Sequence, residues 1–154
     1  MLALTLSFAN LLLASLVVGA MFGVWLIFNP KGLDGQRYVV LHQQAIRTMN
    51  TAMPALGAVT IALTLAAAAM ARADRERLAL IVGAAGAFLA VAAITRFANQ
   101  PINAVVASWP AATPPADWTH LRDSWRRWHI VRLACGLAGL AGLILADLPR
   151  LAPS

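Results

Sequence analysis

Hydrophobic residues are concentrated in four long runs that are separated by short polar segments. The runs cover about residues 2–28, 51–71, 78–98 and 129–146. A helix of roughly 20 apolar residues crosses the hydrocarbon core of a bilayer, and lipid offers no water to backbone groups that lack a partner. The pattern therefore predicts an all-α integral membrane protein, a four-helix bundle that forms one transmembrane domain over residues 1–154.

The polar segments predict where helices begin, bend and end. Asp34 is the expected N-cap of an amphipathic helix that continues into the second span, with a kink near Asn50 caused by Pro54. Asp117 is expected to cap a similar helix that continues into the fourth span. Pro101 should break or bend the third helix. These amphipathic helical extensions lie on one side of the bundle, at the end with the two longer connections, which we call the loop side.

Composition supports a membrane location. Hydrophobic residues make up 60% of the chain and charged residues 12%, whereas soluble domains contain about 25% charged residues. The net charge of +6 is carried beside the membrane segments, which favours contact with lipid head groups over nucleic-acid binding. The single cysteine, Cys135, excludes an intramolecular disulfide and a cysteine-rich metal site. We expect a protein of the bacterial inner (plasma) membrane, with its orientation left open.

Polar side chains near the ends of the spans gather on the loop side, whereas the opposite end is expected to hold only a surface hairpin. The gathered residues are His42, Arg47, Asn50, Arg96, Asn99, Asn103, Trp125, His129 and Arg132. Polar and ionisable residues are costly within a membrane and commonly mark functional sites. On the last helix, Trp125, His129 and Arg132 share one face, because their separations are three, four or seven residues. The sequence therefore predicts a loop-side cavity.

Two histidines on different helices allow two kinds of chemistry. Imidazoles of His42 and His129 are able to hold a haem or a metal ion. Alternatively, they act as a base and a hydrogen-bond donor for an acidic, small apolar substrate that enters from the lipid. Arg96 and Arg132 would then stabilise an enolate or phenolate as it forms.

Three segments resemble those of the anthrone oxygenase-like membrane proteins. Residues 99–103 (Asn-Gln-Pro-Ile-Asn) are similar to an Asn-x-Pro-x-Asn element of that family. Residues 125–132 (Trp-Arg-Arg-Trp-His-Ile-Val-Arg) resemble its Trp-x-x-Trp-His/Asn-x-x-Arg element, which leads into the last span. Residues 45–50 (Ala-Ile-Arg-Thr-Met-Asn) look like its second-helix motif. The resemblance covers most of the chain.

The resemblance implies a membrane oxygenase, because characterised fungal members oxidise anthrones to anthraquinones with molecular oxygen. An anthrone is weakly acidic, and its electron-rich anion reacts with oxygen without an organic cofactor. The implied catalytic residues are His129 and His42 as bases and Arg132 and Arg96 as anion stabilisers. The implied substrate-binding residues are Asn99, Asn103, Asn50 and Trp125.

Other function classes stay open at this point. The chain is alternatively a redox protein that binds haem or a metal ion through His42 and His129, or a non-catalytic subunit of a larger membrane complex. Homo-oligomer formation is compatible with its glycine-rich helices. The substrate, the presence of any cofactor and catalysis itself are not determined by these patterns, since a fold does not fix a function.

Overall fold

The computed structural model describes residues 1–28 and 30–151, and these are almost entirely helical. In chain order the helices are α1 (Leu2–Ile27), a 3₁₀ turn (Pro30–Gly32), α2 (Gly35–Met49), α3 (Ala52–Met70), α4 (Arg75–Ile94), a π-helical turn (Thr95–Asn99), α5 (Gln100–Ala107) and α6 (Trp118–Leu151). The predicted all-α fold is confirmed.

Four helical segments are long and apolar enough to cross a membrane in the described part of the chain. They are Leu2–Gly32, Ala52–Met70, Arg75–Ala107 and Trp118–Leu148. Many large apolar side chains on these helices are exposed, among them Phe8, Leu65 and Leu89. Such a surface is stable in lipid rather than in water, so the protein is an integral membrane helical bundle.

Small residues allow α4 and α6 to pack closely. A Cβ atom on Gly139 would lie 3.0 Å from two ring atoms of Phe88, and one on Gly142 would lie 3.3 Å from the carbonyl oxygen of Leu80. Phe88 and Leu133 belong to the buried core that α1, α3, α4 and α6 share. The glycines of α6 therefore set the approach of the two helices.

Replacing Gly139 with leucine should destabilise the bundle by about 1–3 kcal/mol, because the added atoms meet the Phe88 ring in a filled core. The matched control is Gly83→Leu on α4, where an added Cβ meets nothing within 4 Å. Thermal unfolding in detergent measures the difference. Equal melting temperatures for the two variants would show that the α4–α6 contact is looser than these distances indicate.

The two prolines within helices act differently from the prediction. The expected continuous helix kinked by Pro54 is instead two helices, because α2 ends at Met49 and α3 begins at Ala52. Pro101 was expected to break or bend the third helix. The helix is not broken, since it continues to Ala107, but a π-helical turn precedes the proline. Pro101 lies in the first turn of α5, where a residue without a backbone N–H is tolerated. Asp34 caps α2 as predicted, its carboxylate accepting from the backbone N–H of Arg37.

The end of the bundle opposite the loop side is more polar inside than predicted. Arg77 donates to the carboxylate of Asp147 over 2.9 Å, and both side chains are largely buried. Ser7 bonds to both of them over 3.3 Å, so the cluster joins α1, α4 and α6. The expectation of only a surface hairpin at this end was wrong, because Arg77 turns inward from the hairpin toward a carboxylate on α6.

Candidate functional site

A cavity of about 400 Å³ lies on the loop side of the bundle, bordered by α1 to α4, the π turn, α5 and α6. Most of its wall is apolar. The polar groups on the wall come from His42, Asn50, Thr60, Thr95, Arg96, Gln100, Asn103, Trp125 and Arg132. A largely apolar cavity of this size with a few polar groups is typical of a site for a small molecule.

The cavity wall carries two arginines without an acidic partner. Arg132 donates through Nε and Nη2 to Nδ1 of His129, over 3.2 and 3.0 Å, and through Nη1 to the hydroxyl of Thr95 over 3.3 Å. Arg96 makes no ion pair or hydrogen bond within residues 1–28 and 30–151. The described lining residues include no aspartate or glutamate. The cavity is therefore electropositive.

His129 supports Arg132 and does not line the cavity. A guanidinium has only donors, so the Nδ1 atom that receives it must be unprotonated. The Nε2–H group then donates to the backbone carbonyl oxygen of Met21 over 3.1 Å. The imidazole also stacks on the indole of Trp125, with ring centroids 5.0 Å apart and planes inclined by 4°. Nδ1 thus holds Arg132 at the cavity wall, and the hydrogen bond of Nε2 keeps the imidazole in the orientation that this contact requires.

His42 belongs to a second hydrogen-bond chain that reaches the cavity. Its Nδ1 atom lies 2.9 Å from the hydroxyl of Tyr38, and its Nε2 atom lies 3.0 Å from Oδ1 of Asn103. The indole N–H of Trp125 donates to the same Oδ1 atom over 3.0 Å. The amide nitrogen of Asn103 donates to Oδ1 of Asn50 over 3.3 Å. These side chains form a continuous hydrogen-bond chain that connects α2, α5 and α6.

Burial determines the protonation states of Tyr38 and His42, the two residues of α2 in this hydrogen-bond chain. Burial lowers the pKa of His42, although the hydrogen bond with Asn103 acts in the opposite direction. Burial raises the pKa of Tyr38 well above its usual value, and the nearby charge of Arg122 offsets only part of that rise. His42 is therefore neutral and Tyr38 protonated near pH 7.

The chain was compared with families of known proteins. The family model described as anthrone oxygenase matches residues 43–142, which is well over half of the chain. The chain belongs to the anthrone oxygenase family. No curated protein and no solved structure matches it. The suspected family is thereby confirmed, and membership supports a membrane oxygenase-type role.

The family match includes the polar residues of the cavity wall of this anthrone oxygenase family member except His42, which precedes the matched region, as does its partner Tyr38. Six predicted site residues line the cavity, namely His42, Asn50, Arg96, Asn103, Trp125 and Arg132. His129 lies behind Arg132. Asn99 is buried and donates to the backbone carbonyl oxygen of Trp125 over 3.2 Å, and thus joins the π turn to α6.

The histidines do not fit a haem or metal site in this arrangement. Both ring nitrogens of His42 and both of His129 already have hydrogen-bond partners. A ligating imidazole must present an unprotonated nitrogen to the metal. Among the described residues there is also no group of three or more His, Cys, Asp and Glu side chains placed to hold a metal ion.

Sequence reasoning missed two residues that complete the polar network. Tyr38 is fully buried and bonds to His42, and Thr95 receives Arg132 and itself donates to the carbonyl oxygen of Val91 over 2.8 Å. Tyr38 lies four residues before His42, a spacing that places the two on one helix face. Tyr38 is also the one tyrosine of the sequence. Its spacing from His42 was therefore the sequence signal from which a contact between the two could have been predicted. Thr95 gave none, because threonine is common in membrane helices.

The exposed part of the cavity wall identifies its mouth. The lining residues that are exposed are Met49, Asn50, Ala58, Ala92 and Arg96. Ala58 lies within the spanning helix α3, and Ala92 lies within α4. The cavity of this family member therefore reaches the exposed surface of two helices that are long and apolar enough to span a membrane, with Arg96 at its rim.

Proposed function

We propose that the protein is a membrane-bound oxygenase that binds a small aromatic or polyketide-like substrate in the loop-side cavity as an oxyanion, which molecular oxygen then oxidises. The observation that carries the proposal is the pair of arginines, Arg132 and Arg96, on an apolar wall whose described residues include no carboxylate. Membership of the anthrone oxygenase family gives independent support for this reaction class.

The electrostatics of the cavity favour an anion. A guanidinium in apolar surroundings loses hydration and is costly unless an opposite charge compensates it. Arg132 bonds only to the neutral side chains of His129 and Thr95. A substrate oxygen that becomes negative in the cavity supplies the missing charge, and preorganised donors in a dry site stabilise such charge strongly.

The proposed reaction converts a methylene group between two aryl rings into a ketone. The methylene carbon loses a proton, and the resulting charge moves to the substrate oxygen held by Arg132 and Arg96. The electron-rich carbon then forms a bond to molecular oxygen, and the resulting peroxide takes up a proton. Cleavage of its O–O bond together with loss of the remaining C–H proton releases water and leaves the quinone carbonyl. In total, one CH₂ group and one O₂ give one C=O group and one H₂O. The anion itself supplies the electrons.

The roles that we propose for His42 and His129 differ from that of a general base. Because Nδ1 of His129 accepts from Arg132 and Nδ1 of His42 accepts from Tyr38, neither lone pair is available to a substrate. We assign His129 to positioning Arg132. We expect the cationic wall to lower the pKa of the bound substrate, so that its proton leaves to water at the head-group level.

The direct test is oxidation of a simple three-ring anthrone by the purified protein in lipid nanodiscs. We expect accelerated formation of the anthraquinone, measured by absorbance, with one O₂ consumed for each anthrone. Empty nanodiscs supply the rate of spontaneous oxidation. A rate equal to that of empty nanodiscs, across several anthrones that differ in ring substituents, would contradict the proposal.

A second test uses the shape of the cavity. Replacing Ala92, an exposed lining residue, with tryptophan should narrow the mouth and lower kcat/KM by about tenfold or more, since misplacement by about 1 Å already has large effects. The control is Ala93→Trp, at the next position of α4, which is exposed but outside the cavity wall. Equal rates for the two variants would place the substrate elsewhere.

A further inference from the structure

The hydroxyl of Tyr38 is a buried polar group without a role in the proposed reaction. Tyr38 has no exposed surface and does not line the cavity. Its ring packs between those of Trp118 and Phe28, with centroids 5.2 and 6.2 Å away. Its hydroxyl lies 2.9 Å from Nδ1 of His42. Any effect of this hydroxyl on a substrate must therefore pass through His42.

The hydrogen bonds of Asn103 with Trp125 and with His42 determine the tautomer of His42. The indole N–H of Trp125 is only a donor, so the Asn103 atom that receives it over 3.0 Å is the amide oxygen. The Nε2 atom of His42 lies 3.0 Å from the same oxygen and must carry a proton to bond with it. In a neutral imidazole Nδ1 is then unprotonated and accepts from Tyr38.

The same chain determines which way the amide of Asn103 points. Its oxygen receives two donors, from His42 and Trp125, and is therefore not free to bind a ligand. Its NH₂ group points to Oδ1 of Asn50, an exposed lining residue, over a long bond of 3.3 Å. A long hydrogen bond at an exposed position is readily exchanged for one to a bound oxyanion.

We infer that Tyr38 is a positioning residue that donates to Nδ1 of His42 and so holds the imidazole with its Nε2–H group on Asn103, and that His42 in turn aims the NH₂ group of Asn103 at the substrate oxyanion. Asn103 thus acts as a third, neutral donor beside Arg132 and Arg96. The part of this inference that concerns the substrate rests on the proposed function. The part that concerns the tautomer rests on the hydrogen bonds alone.

The tautomer is tested first, without any ligand. In protein labelled with ¹⁵N-histidine, NMR should show His42 with a protonated Nε2 and an unprotonated Nδ1. Tyr38→Phe retains the ring but removes the hydroxyl, and should shift the signal of the unprotonated Nδ1, because that atom loses its hydrogen-bond donor, while Nε2 stays protonated. The signals of His129 and His120 should not change. An unchanged His42 signal in Tyr38→Phe would overturn the inference.

The aim of Asn103 is tested by binding of a hydroxyanthraquinone, which is already oxidised and whose phenolate is coloured. Tyr38→Phe should bind the phenolate about tenfold more weakly than the unchanged protein, as expected for loss of a well-aimed hydrogen bond to a charged group. Asn103→Leu should lose at least as much. Because both changes act on one hydrogen bond, the double variant should bind no more weakly than Asn103→Leu alone.

Two further variants separate positioning from general damage. Thr48→Val removes an exposed hydroxyl from the same helix, where it bonds only to the Gln44 carbonyl oxygen, and should leave phenolate binding unchanged. His42→Gln in the Tyr38→Phe background supplies an amide N–H near the position of Nε2 without any tautomer, and should restore binding. Failure of this rescue in a folded protein, or fully additive losses in the double variant, would overturn the role of Tyr38.

The outcomes distinguish this inference from the proposed function. If the unchanged protein fails to bind the phenolate, the proposed function is overturned together with the role of Asn103 toward a substrate. The NMR result for Tyr38→Phe then still decides whether Tyr38 donates to Nδ1 of His42 and holds its imidazole in place. If the unchanged protein binds the phenolate and Tyr38→Phe binds it equally well, only the inference is overturned.

Discussion

Replacing Arg132 with glutamine should lower kcat for anthrone oxidation by about a hundredfold or more, the usual cost of removing one donor from an oxyanion site. Arg132 is held at the cavity wall by three hydrogen bonds, two to His129 and one to Thr95. It has no carboxylate partner among the described residues, so its charge is available to the substrate. Glutamine keeps polarity but removes the charge.

The control for Arg132→Gln is Arg47→Gln. Arg47 lies on α2 near the same end of the bundle, but it is exposed and outside the cavity wall. The two variants lose the same charge, so a general effect of net charge or of lipid binding would appear in both. We expect Arg47→Gln to retain the kcat of the unchanged protein. Wild-type kcat in a folded Arg132→Gln variant would exclude Arg132 from anion stabilisation.

Replacing Arg77 with methionine should destabilise the bundle by about 3–5 kcal/mol, because it leaves the buried carboxylate of Asp147 without its partner. The side chains of Arg77 and Asp147 are 8% and 12% exposed, and their charged atoms lie 2.9 Å apart. Removing both charges in Arg77→Met/Asp147→Leu should restore most of the stability, since an apolar pair of similar volume replaces a buried ion pair at little cost. Thermal unfolding in one detergent compares the variants.

Arg75→Met is the matched control for the ion pair, because Arg75 lies on the same turn of α4 and is exposed. Such a surface change is expected to stay within about 0.5 kcal/mol. Any folded Arg77 variant should keep the kcat of the unchanged protein, because the ion pair and the cavity lie at opposite ends of the bundle. A double variant no more stable than Arg77→Met would show that the stability depends on the arginine itself rather than on pairing.

The sequence determined the fold class and the end of the bundle at which the cavity lies. Run length alone predicted four spanning helices, since a bilayer sets the number of apolar residues that a span needs. The period of the last helix placed Trp125, His129 and Arg132 on one face, and in the structure each contacts the next. The family was also recognised from three short segments, and the family model covers all three.

The tertiary structure alone decided which partner each polar group has. His129 bonds to the carbonyl oxygen of Met21, 108 residues away in sequence, and Arg77 bonds to Asp147, 70 residues away. The helical period predicts the direction in which a side chain points from the axis of its own helix. It does not predict which other helix faces that side chain, or at what depth in the bundle the two meet. Those relations follow from close packing at residues such as Gly139 and Phe88, and they give His42 and His129 hydrogen-bond partners that the sequence did not predict.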